Sequence, residues 1–206
     1  MFKAKSIFFA SIASLLLGTA ATSAMAADTT TTEAGAYAGL NIAAQAKYDL
    51  DCSSNGQTGC NRKANSSGKI YAGYMGAPSL FEGINVSQGI ELMYYKVGSA
   101  TRTFIGSSDS FNTKGLAASY VLQANFNNFS LNGRAGAAYT TDKYGSSFLG
   151  TSNTNHSVVP VIGLGARYSL TKNISLNADY DRLVSDANNA AKGPIHMFSL
   201  GVGYKF

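Results

Sequence analysis

The amino-acid sequence predicts an all-β fold: an eight-stranded up-and-down antiparallel transmembrane β-barrel that is preceded by a signal peptide. Three observations support this prediction. Segments of alternating apolar and polar residues recur along the chain, the last of them ends on an aromatic residue, and the N-terminus has the features of a secretory signal. No later stretch is apolar for long enough to cross a membrane as a helix. Because only helices and closed barrels satisfy every backbone group in lipid, the alternating segments predict a barrel.

The N-terminus is expected to direct export. Two lysines precede a short apolar core, and Ala24-Met25-Ala26 fits the small-x-small pattern of a cleavage site. The core is too short for the roughly 20 residues that a membrane-spanning helix needs. We therefore divide the chain into a cleaved signal peptide (1–26), a short lead (27–35) and a barrel domain (36–206).

Composition argues for a membrane location and against nucleic acid as a partner. The chain lacks Trp but has 12 Tyr and 11 Phe, and tyrosine suits a membrane interface with its ring in lipid and its hydroxyl in water. The formal net charge of +5 falls when the two lysines of the signal are removed. Such a mild and scattered positive charge does not indicate nucleic-acid binding.

A period of two residues predicts the strands. They lie near residues 36–48, 69–76, 90–94, 116–126, 129–140, 158–168, 174–180 and 198–206. On the first strand, one face is expected to carry Leu40, Ile42, Ala44, Ala46 and Tyr48, and the other face Asn41, Gln45 and Lys47.

Charged residues on the polar face indicate which face points inward. Glu91, Arg134, Arg167 and Asp179 fall in mid-strand among Gly, Ser and Asn. A soluble lipocalin-like barrel or a sandwich would turn its apolar face inward, and alternation alone does not distinguish these folds. A solvated exterior would be rich in Lys and Glu. The composition therefore favours a packed polar lumen with the apolar face in lipid.

The connections are expected to alternate in length, as in a membrane barrel with short turns at one end and long loops at the other. Residues 127–128 and 171–173 make tight turns, and the turn near 78–85 is somewhat longer. The long polar loops are predicted at 49–68, 98–113, 141–157 and 183–195. Cys52 and Cys60 lie in the first loop and are expected to form a disulfide in an exported protein, since a metal site would want more ligands nearby.

The last strand indicates the compartment. Its apolar face carries Phe198, Leu200, Val202, Tyr204 and the terminal Phe206. Bacterial outer-membrane barrels commonly end in this way, and the strand resembles the signal that their barrel-assembly machinery recognises. We therefore expect the cell outer membrane of a Gram-negative bacterium.

Three segments resemble strands of the OmpA transmembrane domain. Residues 89–94, 158–168 and 197–206 are similar to its third, sixth and eighth strands, and the likeness covers nearly all of 36–206. Opacity proteins and related small adhesin barrels are similar at this level. The periplasmic peptidoglycan-binding domain of OmpA is not expected, because the chain ends at the barrel.

This resemblance implies an eight-stranded barrel with ion pairs in its interior. Glu91 and Arg134 match a lumen glutamate and a lumen arginine of that family. Arg167 stands where the family has an acidic residue, and Asn177 where it has a basic one, so the network is expected to be partly rewired. We expect Glu91, Arg134, Arg167 and Asp179 to pair across the lumen, either for stability alone or as a gate that opens when pairs exchange.

The sequence offers little for catalysis, and we expect no enzyme, cofactor or metal site. A lipid-modifying enzyme needs a base beside a nucleophile. The two histidines, His156 and His196, fall on apolar-face positions near loop ends, and Ser157 points to the opposite face. Gly163 and Gly165 lie in mid-strand, where they make room for interior side chains rather than bind a dinucleotide.

Function is therefore expected in the loops, because binding residues concentrate on loops carried by rigid scaffolds. The prediction is a structural and surface-interaction protein of the adhesion type, with membrane lipid, lipopolysaccharide, the assembly machinery and a host or surface ligand as partners. The alternative is a narrow porin that conducts small solutes. Bulky residues such as Tyr71, Met93 and Tyr95 favour a filled lumen, while the inward Gly and Ser favour some water.

Overall fold

The computed structural model describes residues 34–49, 57–64, 66–81, 83–105, 107–146, 151–187 and 191–206. The predicted signal peptide (1–26), most of the lead (27–35) and Cys52 lie outside these ranges. Thr32–Lys205 form one compact unit. Its strands are β1 (Gly35–Tyr48), β2 (Gln57–Asn61), β3 (Gly68–Met75), β4 (Ser79–Phe81), β5 (Ile84–Phe104), β6 (Ser107–Phe126), β7 (Phe129–Ser146), β8 (Thr151–Ser169), β9 (Ile174–Ala187) and β10 (Ala191–Lys205). Across the described ranges, no helix has the length and apolar character to cross a membrane.

Eight strands close into a ring of antiparallel neighbours. The order around the ring is β1, β3, β5, β6, β7, β8, β9 and β10, and β10 pairs with β1. The closing register sets Leu40 opposite Val202 and Ile42 opposite Leu200. The two short strands, β2 and β4, add to β5 beyond the ends of β3. The predicted eight-stranded up-and-down barrel is therefore confirmed, because every strand of the ring has a partner on both sides.

The apolar face of the wall points outward, as predicted. Leu164 and Ile90 are both 67% exposed, whereas Glu91, the next residue on β5, is 4% exposed. The same alternation runs around the ring, so that an apolar band faces out and polar side chains fill the inside. An outward apolar band is what a barrel needs in lipid, where burial of that band in hydrocarbon removes it from water.

The predicted alternation of β1 is wrong beyond residue 44. The pairing of β1 with β10 shifts between Ala43 and Gln45, which is the signature of a β-bulge. The extra residue reverses the faces of the residues after it. Ala46 and Tyr48 therefore point inward and are buried, while Gln45 and Lys47 are exposed.

The predicted long loops are mostly strand. β5 and β6 pair as far as Phe104 with Ser107, β7 and β8 as far as Ser146 with Thr151, and β9 and β10 as far as Ala187 with Ala191. Most of 98–113, 141–157 and 183–195 is thus hairpin, and β2 adds a strand within 49–68. Outside lipid the outer face of a strand needs no apolar residues. The sequence there loses its alternation, although the backbone ladder continues.

The opposite end of the barrel, called here the turn end, has the short connections that were predicted. Residues 127–128 join β6 to β7, and Asn127 adopts a φ of 50°, a left-handed conformation that asparagine tolerates. In the next turn, the Thr171 Oγ1 accepts hydrogen bonds from the N–H groups of Asn173 and Ile174, at 3.3 and 2.9 Å. The end with the extended hairpins is called the hairpin end.

The interior changes in character along the barrel axis. Near the middle lies a cluster of buried charged side chains, the lumen network, which consists of Lys69, Glu91, Arg134, Asp179 and Asp181. Next to it, on the side of the hairpin end, the inward positions are apolar, and buried polar residues such as Thr113 and Asp142 follow beyond them. This apolar layer consists of Met93, Tyr95, Val97, Ala117, Ala138, Val159, Val161, Leu183, Ile195 and Met197, all buried. In register, Met93, Ala117, Ala138 and Val159 stand side by side on four successive strands.

Candidate functional site

Arg134 is the centre of the lumen network. It lies on β7 as an inward residue, and its side chain is 3% exposed. Its Nη1 donates to Glu91 Oε1 at 2.9 Å, and its Nη2 donates to Asp179 Oδ1 at 2.6 Å. Its Nε lies 3.6 Å from Asp181 Oδ1, close enough for an ion pair but without a hydrogen bond. One guanidinium thus links carboxylates from β5 and β9 across the lumen.

Lys69 is the second cation of the network. Its Nζ, on β3, donates to Asp181 Oδ2 at 2.5 Å and lies 3.1 Å from Asp179 Oδ2. The side chains of Lys69 and Asp181 are completely buried. Asp179 also accepts a hydrogen bond of 2.7 Å from the Asn41 Nδ2, so that β1, β3, β7 and β9 meet at this carboxylate. Such multiple satisfaction is what makes buried charges tolerable.

Three of the four residues of the predicted network lie together in the structure, and Arg167 lies apart from them. The structure brings Glu91, Arg134 and Asp179 together. Arg167 is half-buried nearer the turn end, and it donates to Asn177 Oδ1 at 3.2 Å and to Gln123 Oε1 at 3.3 Å. It lies two residues nearer the turn end than Gly165, and Gly165 is the residue opposite Asp179 in register. Amide oxygens, rather than carboxylates, are therefore its partners.

Tyr37 connects Arg167 to the network indirectly. The guanidinium of Arg167 lies 5.2 Å from the centre of the Tyr37 ring, a cation–π distance. The hydroxyl of Tyr37 donates to Glu91 Oε2 at 3.0 Å. Arg167 is therefore linked to Glu91 through the ring and the hydroxyl of Tyr37. Arg167 also contributes to the charge balance of the interior. Glu91, Asp179 and Asp181 carry three negative charges, and Lys69 and Arg134 supply only two positive charges.

Lys69 and Asp181 are the network residues that the sequence prediction missed. A signal for both was present. Lys69 is a mid-strand cation on the polar face of β3, and Asp181 lies two residues after Asp179, on the same face of β9. Applying the period of two to every charged residue would have found them.

Two glycines of β8 make room for the network. A Cβ atom added at Gly165 would overlap with Asp179 Oδ1 and stand 2.7 Å from Asn132 Oδ1. One added at Gly163 would stand 2.5 Å from Asp181 Oδ1. The expectation that these glycines accommodate interior side chains is confirmed. The side chains of Asp179 and Asp181 on β9 therefore pack directly against the backbone of β8 at these glycines.

The apolar layer lies directly above the lumen network on the way to the hairpin end. On β5, Glu91 is followed inward by Met93, and on β9, Asp181 is followed by Leu183. Val161, Leu183 and Ile195 are opposite one another in register on three neighbouring strands. A charged plug and an apolar plug thus lie in series. This arrangement excludes water from ion pairs and raises the cost of moving an ion along the axis.

The histidines lie on the outer wall, away from the lumen. His156 is exposed, stacks on Tyr139 with ring centres 5.7 Å apart, and shares a hydrogen bond of 3.1 Å with the Thr141 hydroxyl. His196 shares a hydrogen bond of 2.6 Å with the hydroxyl of Tyr180. Neither histidine faces a serine or cysteine in these contacts.

The remaining predicted site residues lie on the outer wall or at the hairpin end. Phe198, Leu200 and Val202 are exposed on the lipid side of β10, Tyr204 is half-buried, and Phe206 is 48% exposed. Cys60 is a half-buried residue of β2. Its expected partner, Cys52, lies outside the described residues, so the disulfide stays a prediction. No group of His, Cys, Asp and Glu able to hold a metal ion occurs among the residues that the structure describes.

Comparison with known proteins identifies the family to which the chain belongs. Residues 12–206 match the family model of the outer membrane protein beta-barrel domain. The crystal structure of Neisserial surface protein A is similar to this chain at 18% identity, with 84% of this chain and 99% of that one covered and a TM-score of 0.57. The N-terminal β-barrel domain of Pseudomonas aeruginosa OprF is similar at 15% identity, with 86% and 100% covered and a TM-score of 0.52.

These two likenesses concern the fold, which is that of small outer-membrane barrels. No curated protein sequence matches the chain. The family match extends over the whole barrel and agrees with the closed ring and its outward apolar band. The resemblance to OmpA-like barrels and the expected compartment are therefore confirmed. The chain belongs to the outer membrane protein beta-barrel domain family and resides in the outer membrane of a Gram-negative bacterium.

Proposed function

We propose that this barrel is a structural and surface-interaction protein whose hairpin end projects from the cell and makes adhesion-type contacts. The observation that carries the proposal is the extension of paired strands past the apolar band. β7 and β8 remain paired from Tyr139 with Val158 up to Ser146 with Thr151. Outward groups on this extension, including Lys143, Ser152 and Thr154, are polar and exposed. A rigid stalk that presents polar side chains suits a binding surface.

The orientation follows from the family's architecture, in which short turns face the periplasm and longer connections face outward. The tight turns at 127–128 and 171–173 then lie in the periplasm. The surface ligand that we propose would meet residues of the ranges 49–68, 98–113, 141–157 and 183–195, as far as they belong to the hairpin end. Neisserial surface protein A, a fold relative, is named as a surface protein, which is in keeping with the proposal.

The surface role can be tested by shortening one hairpin. Replacing residues 143–154 by an Asn-Gly turn would remove the stalk of β7 and β8 and leave the lumen intact. Bacteria that produce this variant are expected to attach less to immobilised extracellular-matrix proteins and to epithelial cells than bacteria that produce the unaltered protein. Equal amounts of folded barrel in the outer membrane must be verified by heat-modifiable gel mobility. Undiminished attachment by this variant, and by variants shortened in the other hairpins, would count against the proposal.

The narrow porin is disfavoured by the layered interior. A conducting lumen needs a continuous polar path, and the apolar layer interrupts it with Met93, Leu183 and Met197, none more than 1% exposed. We expect the refolded barrel to be silent in a planar lipid bilayer, and Glu91→Ala to remain silent because the apolar layer lies in series with the network. Reproducible openings of the unaltered barrel would reinstate the porin.

Two further roles belong to the same proposal. The β10 residues Phe198, Leu200, Val202, Tyr204 and Phe206 are proposed to be recognised by the barrel-assembly machinery, so that Phe206→Ala lowers assembly in cells but not refolding in vitro. Cys60 is proposed to pair with Cys52. A catalytic role is not proposed, since the outer-wall contacts of His156 and His196 are with Thr141, Tyr139 and Tyr180.

A further inference from the structure

Cations follow the apolar band at its hairpin end. On several strands, the next outward residue after the last large apolar one carries a positive charge. Tyr94 is followed by Lys96 on β5, and Tyr180 by Arg182 on β9, while Lys114 stands next to Leu116 on β6 in the same sense. The bulge of β1 turns Lys47 outward at a similar position. We call Lys47, Lys96, Lys114 and Arg182, which are all exposed, the cation girdle.

Lys96 and Lys114 form the densest part of the girdle. They are directly opposite each other in the register of β5 and β6. Like charges at directly opposed positions repel, so this pair has an energetic cost in the protein alone. Neither lysine has a carboxylate within ion-pair distance among the described residues. The acidic residues nearest in the neighbouring strands, Asp109 and Asp142, are buried in the lumen at 7% and 3% exposure.

The second part of the girdle continues on the other side of β3. Arg182 is opposite His196, and His196 is opposite Lys47, across β9, β10 and β1. The hydrogen bond between the Tyr180 hydroxyl and His196 Nδ1 fixes the ring between the two cations. At the turn end, by contrast, the outward residues that follow the band are mostly Asn, Gly or apolar, with Lys172 after Ile174. Positive charge is thus concentrated at one boundary of the apolar band.

We propose that the cation girdle binds the phosphate groups of lipopolysaccharide in the outer leaflet, with Lys96 and Lys114 as its main site. The anions present at that boundary of an outer membrane are the phosphates of lipid A. Two opposed lysines just outside an apolar wall, with no carboxylate partner among the described residues, complement these phosphates. A phosphate between the two ammonium groups turns their repulsion into shared attraction. This inference rests on the proposed function, in which the hairpin end faces outward.

The test uses the purified, folded full chain and bis-phosphorylated lipid A in a neutral detergent. Binding is measured by native mass spectrometry and by titration, beside lipid A from which the phosphates have been removed. Each lysine near an anionic lipid surface contributes enough for a change of about fivefold in affinity. Lys96→Gln combined with Lys114→Gln is therefore expected to weaken the binding of bis-phosphorylated lipid A by about thirtyfold, and to leave that of the dephosphorylated lipid unchanged.

Two control variants make the result specific. Lys96→Arg combined with Lys114→Arg keeps the charge and is expected to retain binding, and Lys172→Gln removes one charge from the turn end and should bind as the unaltered protein does. If the double glutamine variant does not fold, Lys96→Gln alone provides the comparison with Lys172→Gln. The proposal is overturned if the glutamine variants bind normally, if Lys172→Gln weakens binding equally, or if removing the phosphates has no effect. The assay contains no surface ligand. A result that overturns the lipopolysaccharide proposal would therefore leave the adhesion proposal untouched, and the two failures can be distinguished.

Discussion

Arg134 has the most demanding environment of any residue in the lumen network. Its guanidinium faces Glu91, Asp179 and Asp181 at the same time, and little of it reaches water. Removal of one member of such a buried cluster leaves the remaining charges uncompensated, and that cost exceeds the net contribution of the intact pairs. The stability of the barrel therefore depends on this residue more strongly than on any surface ion pair.

We expect Arg134→Ala to lower the free energy of unfolding by about 3–5 kcal/mol, because Glu91 and Asp179 would each lose their hydrogen-bonded cation. Arg167→Ala is the matched control, since it removes the same side chain from a half-buried place among amide oxygens. Its cost should be about 1 kcal/mol. Urea unfolding in lipid vesicles, followed by far-ultraviolet circular dichroism because the chain lacks Trp, measures both. Equal losses from the two variants would show that the network contributes nothing special.

Gly165→Ala is expected to destabilise the barrel by about 1–3 kcal/mol through overpacking. The added methyl group would meet Asp179, which is held in place by Asn41, Lys69 and Arg134 and has no room to retreat. Gly133→Ala provides the control, because the nearest atom to its new methyl group is Leu164 Cδ2 at 3.8 Å. Thermal melting of the two variants in the same detergent gives the comparison. A Gly165→Ala variant as stable as Gly133→Ala would contradict the packing seen around the network.

At the scale of the element, the strands are longer than the membrane requires. A ladder of about 25 Å satisfies the apolar band of a membrane barrel. β5, with 21 residues, and β6, with 20 residues, go well beyond it. The sequence conveys this extension poorly, because a strand with water on its outer face has no need for alternating hydrophobicity. Backbone hydrogen bonds between the strands then stabilise the extension, and the pattern of side chains does not reveal them.

The extension predicts slow amide exchange beyond the apolar band. Amides of residues 141–146 and 152–157 that point toward the partner strand are expected to be protected from hydrogen exchange in detergent micelles, since each lies in the ladder of β7 and β8. Amides of residues 131–135, within the band, serve as the upper reference. Mass spectrometry of peptic fragments or nuclear magnetic resonance can follow both. Fast exchange throughout 141–157 would return this segment to the loop that its composition suggests.

The bulge of β1 marks a second limit of the pattern at this scale. One extra residue near Ala43 reverses the faces of Ala46, Lys47 and Tyr48. No residue type in that stretch announces the shift, because alanines fit either face. The consequence is functional as well as structural, since Lys47 joins the outer wall and Tyr48, whose hydroxyl donates to the Gly98 carbonyl at 3.1 Å, joins the interior.

At the scale of the whole molecule, the interior consists of successive packed layers, the lumen network and the apolar layer, rather than a uniform polar lumen. The fold, its strand number and its inside-out polarity were predictable, because alternating residues such as Ile90 and Glu91 report directly on lipid and lumen. The position of Arg134 followed from the same rule. Of the apolar layer, the sequence indicated only Met93 and Tyr95 as bulky lumen residues. Val159 and Val161 lie between other apolar residues on β8 and give no alternation, so the layer as a whole was not predicted. Ion-pair partners depend on strand register and on side-chain length. This explains why Lys69, rather than the predicted Arg167, pairs with Asp179 and Asp181.

The apolar layer in series with the lumen network predicts which substitutions would open the lumen to ions. Leu183→Ser combined with Met197→Ser would place hydroxyl groups in the apolar layer, and we expect small but reproducible conductance steps in a planar bilayer, together with a loss of stability. Arg134→Ala alone should stay closed, since the layer remains intact above it. Bilayer recordings of refolded protein distinguish the two. Conductance from Arg134→Ala, with none from the double serine variant, would show that the charges are the true barrier.

Folding distributes the charges of this chain unevenly between the inside and the outside. The buried acidic residues Glu91, Asp109, Asp142, Asp179 and Asp181 outnumber the buried cations Lys69 and Arg134, while Lys47, Lys63, Lys96, Lys114, Lys143 and Arg182 are exposed. The unfolded chain is a weakly basic polyampholyte, but the assembled barrel presents itself to its surroundings as a polycation. Folded and unfolded forms of identical mass and composition should therefore separate on a cation exchanger. The folded form is expected to elute at the higher salt concentration, although both forms have the same amino-acid composition.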